Sequence, residues 1–490
     1  MRQEELLVNR LKAYGETDMY PFHMPGHKRS RRMGFPDPFS IDITEIDGFD
    51  NLHHPEGVLK ESMEWAAGLY GADQTYYLVN GSSSGILAAI CGSVSKEGRI
   101  LVGRNCHKSV YNGIGLNQLK ASYVYPQAME GWGIQGAILA EDVDKMLTAC
   151  MDTQAVLIVS PTYDGVVSDV KRIAEVVHRR GIPLIVDEAH GAHFRYGEEF
   201  PQSALELGAD VVIQSVHKTL PCLTQTALLH IRCNRPDGTC YADRERIDRY
   251  LHIYQSSSPS YVLMAGIENG IFLMEGMRRG EMGAYMDALN CLRDRLSGMK
   301  HLRLAGRELV GRQGVADLDV TKLVVSTRGT GLTGAELHDA LRRNHHLELE
   351  MCGVDYVTAI TTIMDEEEGF RRLGDALMEI DRGIAGSQGN GMGNELEDAS
   401  CIYSRPNDIA MTIAQAMDST MVQTGLRDSA GCISGEFAYI YPPGIPIVAP
   451  GEWIGRKTLD VIRDYIKKGL PVQGLADESL ETIRVIQEKD

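Results

Sequence analysis

The runs Leu184-Ile185-Val186-Asp187-Glu188-Ala189-His190 and Val211-Val212-Ile213-Gln214-Ser215-Val216-His217-Lys218-Thr219 decide how this chain is read. Each opens on a few apolar residues and ends in titratable ones. So short a run, with no polar alternation, suits a strand buried on both faces of a sheet. Similar runs stand at Tyr76–Asn80, Ile100–Gly103, Ala155–Ser160 and Ala227–Ile231. Helical segments such as Ser83–Val94, His107–Leu116 and Val170–Arg180 lie between most of them. Strand, helix, strand at this spacing predicts a doubly wound α/β sheet of buried parallel strands. Ligands of such sheets bind beyond the carboxyl ends of the strands. Asp187 and Lys218 stand at that place.

Outward from this centre, residues 1–70 read as an irregular leader and 71–295 as the large domain, closed by a long helix over Ser260–Leu296. A small α+β domain is expected over 296–382, with strands near Lys322–Ser326 and Tyr356–Ile363 and a helix near Gly334–Arg343. Residues 383–399 open on a polar, glycine-rich run that suits a linker. Residues 400–490 form a third, C-terminal domain.

Composition narrows the function classes. The 490 residues carry 67 Asp+Glu against 49 Lys+Arg, a net charge of −18. Such a surface repels phosphate backbones and anionic lipid, so neither nucleic acid nor membrane is an expected partner. No apolar stretch approaches the roughly 20 residues that cross a bilayer. The opening Met1-Arg2-Gln3-Glu4-Glu5 shows no signal peptide, and a cytoplasmic location is expected. Ten scattered cysteines without a C-x-x-C pair read as reduced, structural thiols.

Three elements carry candidate chemistry. Lys218, at a strand end beside Ser215 and His217, is either a surface lysine or a Schiff-base nucleophile whose amine is desolvated. Asp187 ends an apolar strand, and a carboxylate buried there needs a cation. A pyridinium nitrogen would serve, with the small Ala189 leaving room for a flat ring; a helix cap or a metal ligand beside His190 and His193 is the alternative. No third ligand at metal spacing accompanies those histidines, and no metal is expected. Asn80-Gly81-Ser82-Ser83-Ser84-Gly85 joins a strand to an apolar helix, where free N–H groups and hydroxyls suit a phosphate. It also reads as a plain serine cap. Chance explains any one of these elements better than all three in order.

Together they resemble the Orn/Lys/Arg decarboxylase family, of the aspartate-aminotransferase fold. The resemblance rests on Asp187–His193 and Ser215–Pro221, and on His23-Met24-Pro25-Gly26-His27-Lys28, Asp42–Glu45, Arg104–Ser109, Gln255–Tyr261 and Tyr441–Pro446 with Pro450–Glu452. It implies pyridoxal 5'-phosphate held as a Schiff base on Lys218, with Asp187 on the pyridine nitrogen, His107 stacked opposite Ala189 and His190 near the phenolic oxygen. Ser82, Ser83, Ser84, Ser215 and His217 would hold the phosphate. Ser257 or Ser258 would reach in from a neighbouring subunit, which implies a homodimer with shared sites. The implied reaction is decarboxylation of a basic amino acid: arginine first, giving agmatine for polyamine synthesis, then lysine, then ornithine.

A decarboxylase must seat the α-carboxylate out of the ring plane in a poorly solvated spot. His107 and Lys218 are the two candidate acids for returning a proton. The substrate's cationic tail needs an anionic receptor, for which Asp47, Asp50, Asp164, Glu436 and Glu452 are candidates. The principal rival is an aminotransferase or lyase of the same fold. An aminotransferase would use a small-domain arginine, and Arg328 lies in that region. His23 and His27 read equally as site-mouth or structural residues, and Tyr441–Pro446 as a rigid turn.

Overall fold

In the computed structural model the apolar runs become strands whose alternate side chains enter two separate cores. Leu101, Val156, Ile158, Val186, Val212 and Leu228 belong to one. Ile100, Val102, Leu157, Ile185, Ile213 and Leu229 belong to the other. A strand covered on both sides has no polar face, which is why these segments lack alternation. The structure describes residues 6–233, 238–384, 407–440, 444–467 and 469–487.

The central sheet has seven strands. They are β1 (Gln74–Leu78), β2 (Arg99–Gly103), β3 (Lys120–Val124), β4 (Thr153–Val159), β5 (Leu184–Asp187), β6 (Val211–Gln214) and β7 (Ala227–Ile231). Their order is β1-β7-β6-β5-β4-β2-β3. Strand β7 runs against both neighbours, correcting the expectation that it is parallel. The remaining pairings are parallel. Strand β3, not expected from the sequence, forms one edge.

One face is covered by α2 (Gly81–Ser93), α3 (Lys108–Leu116) and α5 (Arg244–Tyr254), through Ile90, Ile114 and Ile247 among others. The other is covered by α1 (Val58–Tyr70), α4 (Val170–His178) and α6 (Tyr261–Arg278). The expected single helix over Ser260–Leu296 is two, α6 and α7 (Glu281–Leu296), parted at Gly280. Glycine weakens a helix interior, so the break falls there.

A second sheet is antiparallel throughout, in the order β8 (Arg303–Leu304), β9 (Lys322–Ser326), β11 (Tyr356–Ile360), β10 (Met351–Cys352). Helices α8 (Gly334–His345) and α9 (Glu367–Ile384) accompany it. Helix α9 runs to Ile384, past the expected start of the linker, and residues 385–399 of that linker lie outside the described ones. The leader is tied in by Tyr20–Phe22, which pairs with Leu347–Leu349. In the C-terminal segment, α10 (Arg456–Lys467) packs on a three-stranded sheet centred on Ala438–Ile440.

Seven described cysteines are free. Cys233 and Cys240 are instead joined in a disulfide, which corrects the all-reduced expectation. A seven-residue separation is wider than the C-x-x-C test admits. Among the described residues no helix is long and apolar enough to cross a membrane.

Candidate active site

The register sets Val159 beside Asp187 and Asp187 beside Ile213, so three strand ends lie abreast. The loops beyond them open on a cavity of about 400 Å³. Ser82, Ser83, His107, Asp187, Ala189, His190, His217 and Lys218 all line it. Tyr163 and Asp164 follow β4 into the same space; Met351 and Tyr356 of the second sheet, and Ile440, Ile445 and Tyr465 of the C-terminal segment, complete its wall.

Lys218 sits on the single turn Val216–Thr219, and its Nζ donates to Nε2 of His190 at 2.9 Å. Burial pushes the lysine down to about 8, with the carboxylate of Asp187 pulling the other way. Burial and the adjacent Lys218 hold His190 far below the usual imidazole range, and its Nδ1 is buried without a partner. The Tyr163 ring lies 4.5 Å from that of His190. Its hydroxyl donates to Glu350, whose other oxygen accepts the Met24 N–H at 2.8 Å. The leader also supports the Lys218 turn from below: Gly26 N–H donates to His217 O at 2.7 Å. A Cβ on Gly26 would stand 2.5 Å from the Leu220 carbonyl oxygen, so only glycine fits.

Asp187 is buried and accepts one backbone N–H, from Ala189 at 3.1 Å. Burial raises its carboxyl, opposed by Lys218. A carboxylate this poorly compensated favours a cationic ligand. Its neighbour Glu188 is spent on structure, accepting from Ser203, Ala204 and Gln214. His193 pairs with Asp319 at 3.3 Å. Among the described residues no group of three or more His, Cys, Asp or Glu could hold a metal ion.

At the opposite end, α2 starts without a side-chain cap after the left-handed Gly81, leaving first-turn N–H groups beside Ser82 and Ser83. The Ser215 hydroxyl is fully buried and has no partner, though it stands behind the cavity's lining residues. His217 donates from Nδ1 to Thr226 O at 2.8 Å, and burial pushes it down to about 4. Ser84, expected among the phosphate contacts, instead donates to Gly81 O at 2.8 Å within its own helix and does not line the cavity. A serine in the first turn can turn its hydroxyl back onto the carbonyl three residues earlier, which takes it out of the set facing the ligand. Ser257 and Ser258 are exposed and off this chain's cavity, although Ser256 N–H donates to Asn80 at the cup.

His107 caps α3, its Nδ1 accepting the Ser109 N–H at 3.2 Å. Burial, then Lys218 and Lys108, press it down to about 4, so the ring is neutral near pH 7.

Other sequence candidates fall outside the cavity. Asp47 is exposed, and Asp50 accepts four backbone N–H groups of the leader. Glu436 accepts from Ala476 and Arg484 N–H. Glu452 forms a bidentate, buried pair with Arg104 at 2.9 and 3.0 Å. Of the five proposed tail receptors only Asp164 lines the cavity. Arg328 is paired with Asp355 and does not line it, which removes the carboxylate clamp the aminotransferase reading needs. His23 and His27 stand back from it, while Met24 of the same motif lines it. Residues 441–443 of the Tyr441–Pro446 motif lie outside the described ones. Sequence reading missed Tyr163, which the strand-end rule applied to β4 would have found, and Glu350, which only the tertiary fold brings near.

The family model for the Orn/Lys/Arg decarboxylase major domain matches residues 6–323, and that for the C-terminal domain matches 398–470. The chain belongs to the Orn/Lys/Arg decarboxylase family. It is thus one of a family of amino-acid carboxy-lyases. An arginine decarboxylase of Halalkalibacterium halodurans is 33% identical over 100% of this chain and 99% of the relative. One of Bacillus subtilis is 32% identical, with the same coverage. Among solved structures, the lysine decarboxylase of Francisella novicida superposes with a TM-score of 0.76 at 18% identity. That match covers 98% of this chain and 81% of the other, and it shows the shared α/β fold.

Proposed function

We propose that this family member is a pyridoxal-phosphate-dependent arginine decarboxylase, releasing carbon dioxide and agmatine. The observation that carries the reading is the desolvated Lys218 amine in one cavity with the undercompensated Asp187 carboxylate. Curated relatives of nearly equal length, named arginine decarboxylase, favour arginine over lysine.

The residues fit the cofactor. Asp187 would face a ring nitrogen, and the uncapped start of α2, the unpartnered Ser215 hydroxyl and His217 would take the phosphate. When bound, the cofactor's protonated ring withdraws the electron pair left as the α-carboxylate departs. Every other step falls to the chain. Lys218, low enough to be partly neutral near pH 7, supplies the nucleophilic amine and afterwards a proton. His190 shares that amine's proton through its Nε2. His107, neutral and flat, would pack a ring face and is the poorer acid of the two. The wall of Ile440 and Ile445 keeps water from the departing carboxylate.

Ser257 and Ser258, exposed beside the phosphate end yet off their own cavity, suit a homodimer in which each chain completes its neighbour's site. A cytoplasmic role in supplying polyamine precursors accords with the product.

Purified protein loaded with cofactor and given arginine, lysine or ornithine tests the reading. Agmatine with stoichiometric carbon dioxide is the expected product, and cadaverine or putrescine alone would refute it.

A further inference from the structure

Among the described residues two acids line the cavity, Asp187 and Asp164. Asp187 is committed to the cofactor, which leaves one carboxylate without an assigned task. Asp164 lies in the loop after β4 and is only 8% exposed. Its Oδ1 accepts from Thr358 Oγ1 at 3.4 Å, a weak bond, and Tyr356 is its other hydrogen-bond neighbour. Both are neutral donors, and among the described residues no cation pairs with it. Desolvation alone pushes its carboxyl up to about 7, the mark of a charge the protein does not compensate. Beside it, Ile134, Met351 and Tyr356 belong to an apolar cluster. The cavity therefore offers an apolar wall with one carboxyl group whose charge nothing in the protein compensates. That is complementary to a methylene stem with a cationic head, because burying such a head needs a charge partner.

We infer that Asp164 is the receptor for the cationic tail of the substrate. The inference rests on the decarboxylase reading and deepens it: specificity for a basic amino acid comes from a carboxylate that only the right substrate neutralises. An uncharged tail leaves that carboxylate buried and unpaired.

The test compares arginine with citrulline, its uncharged isostere, on the loaded enzyme. In Asp164→Asn the preference for arginine over citrulline in kcat/KM is expected to fall roughly ten- to hundredfold, the worth of a charge-assisted contact. A merely structural role would lower both substrates alike and leave the ratio unmoved, which overturns the inference while the decarboxylase reading stands. Asp164→Glu keeps the charge but advances it, and its ornithine-to-arginine ratio should rise at least threefold; an unchanged ratio counts against the assignment, including where the asparagine variant fails to fold. Should wild-type protein make no amine from any basic amino acid, the proposed function fails first. Calorimetry with agmatine then decides Asp164 separately. Binding lost in Asp164→Asn upholds it; binding equal in both proteins, or absent from both, ends it.

Discussion

The Nζ of Lys218 lies 2.9 Å from Nε2 of His190, the imidazole buried and the lysine half-buried in the cavity wall. Desolvation disfavours charge on both, so they hold one proton where two exposed groups would hold more. In the proposed reaction this pair prepares a nucleophile at neutral pH.

The first prediction follows from the amine's ordinary value of 10.5 being lowered to about 8. Roughly one Lys218 in ten is neutral at pH 7, against about one in three thousand for an exposed lysine. Cofactor capture by the apoprotein should therefore quicken as pH rises from 7 and level off above about 8. Stopped-flow absorbance of cofactor binding checks it, and Lys218→Ala should lose both the bound band and at least a thousandfold of turnover.

A second concerns Asp187, whose negative charge holds the proton on Lys218. Removing it in Asp187→Asn should shift the capture inflection to lower pH. The same change should cut kcat by about 10²–10³, the usual loss for a charge that stabilises the transition state. An inflection that moves upward would contradict the electrostatics.

For His107, the proposed role of a neutral ring stacked on the cofactor implies that shape matters more than proton transfer. His107→Phe should keep about fivefold more kcat than His107→Ala, the equivalent of the ~1 kcal/mol an aromatic contact contributes. Equal losses in the two variants would point instead to the imidazole nitrogen.

The buried Arg104–Glu452 pair yields a stability prediction. Glu452→Ala strands a guanidinium that is 2% exposed, at a cost of about 3–5 kcal/mol. Chemical denaturation of the variant should show it, and replacing Arg104 with Met in the same chain should recover most of the loss.

The fold was legible because strands buried on two faces cannot hide their apolarity, as Ile185 and Ile213 show. Direction was not: a run without alternation reads the same both ways, so the reversal of β7 needed its neighbours. Strand-end logic led to Asp187 and Lys218, both of which line the cavity. It could not tell Asp164 from Glu452, since both are acids near motifs. The difference lies in partners hundreds of residues away, Arg104 for one and two neutral donors for the other. Ser84 failed for the opposite, local reason, its hydroxyl being taken by a carbonyl three residues earlier.

The Arg104 pair has an evolutionary corollary. Arg104 stands three residues before His107, and Lys108 N–H donates to the Gly444 carbonyl at 3.2 Å. Glu452 and Gly444 of the C-terminal segment thus brace the segment that carries His107. Grafting this large sheet onto a foreign tail would transplant an arginine without its acid and a histidine without its buttress, so head and tail are constrained to diverge as one unit.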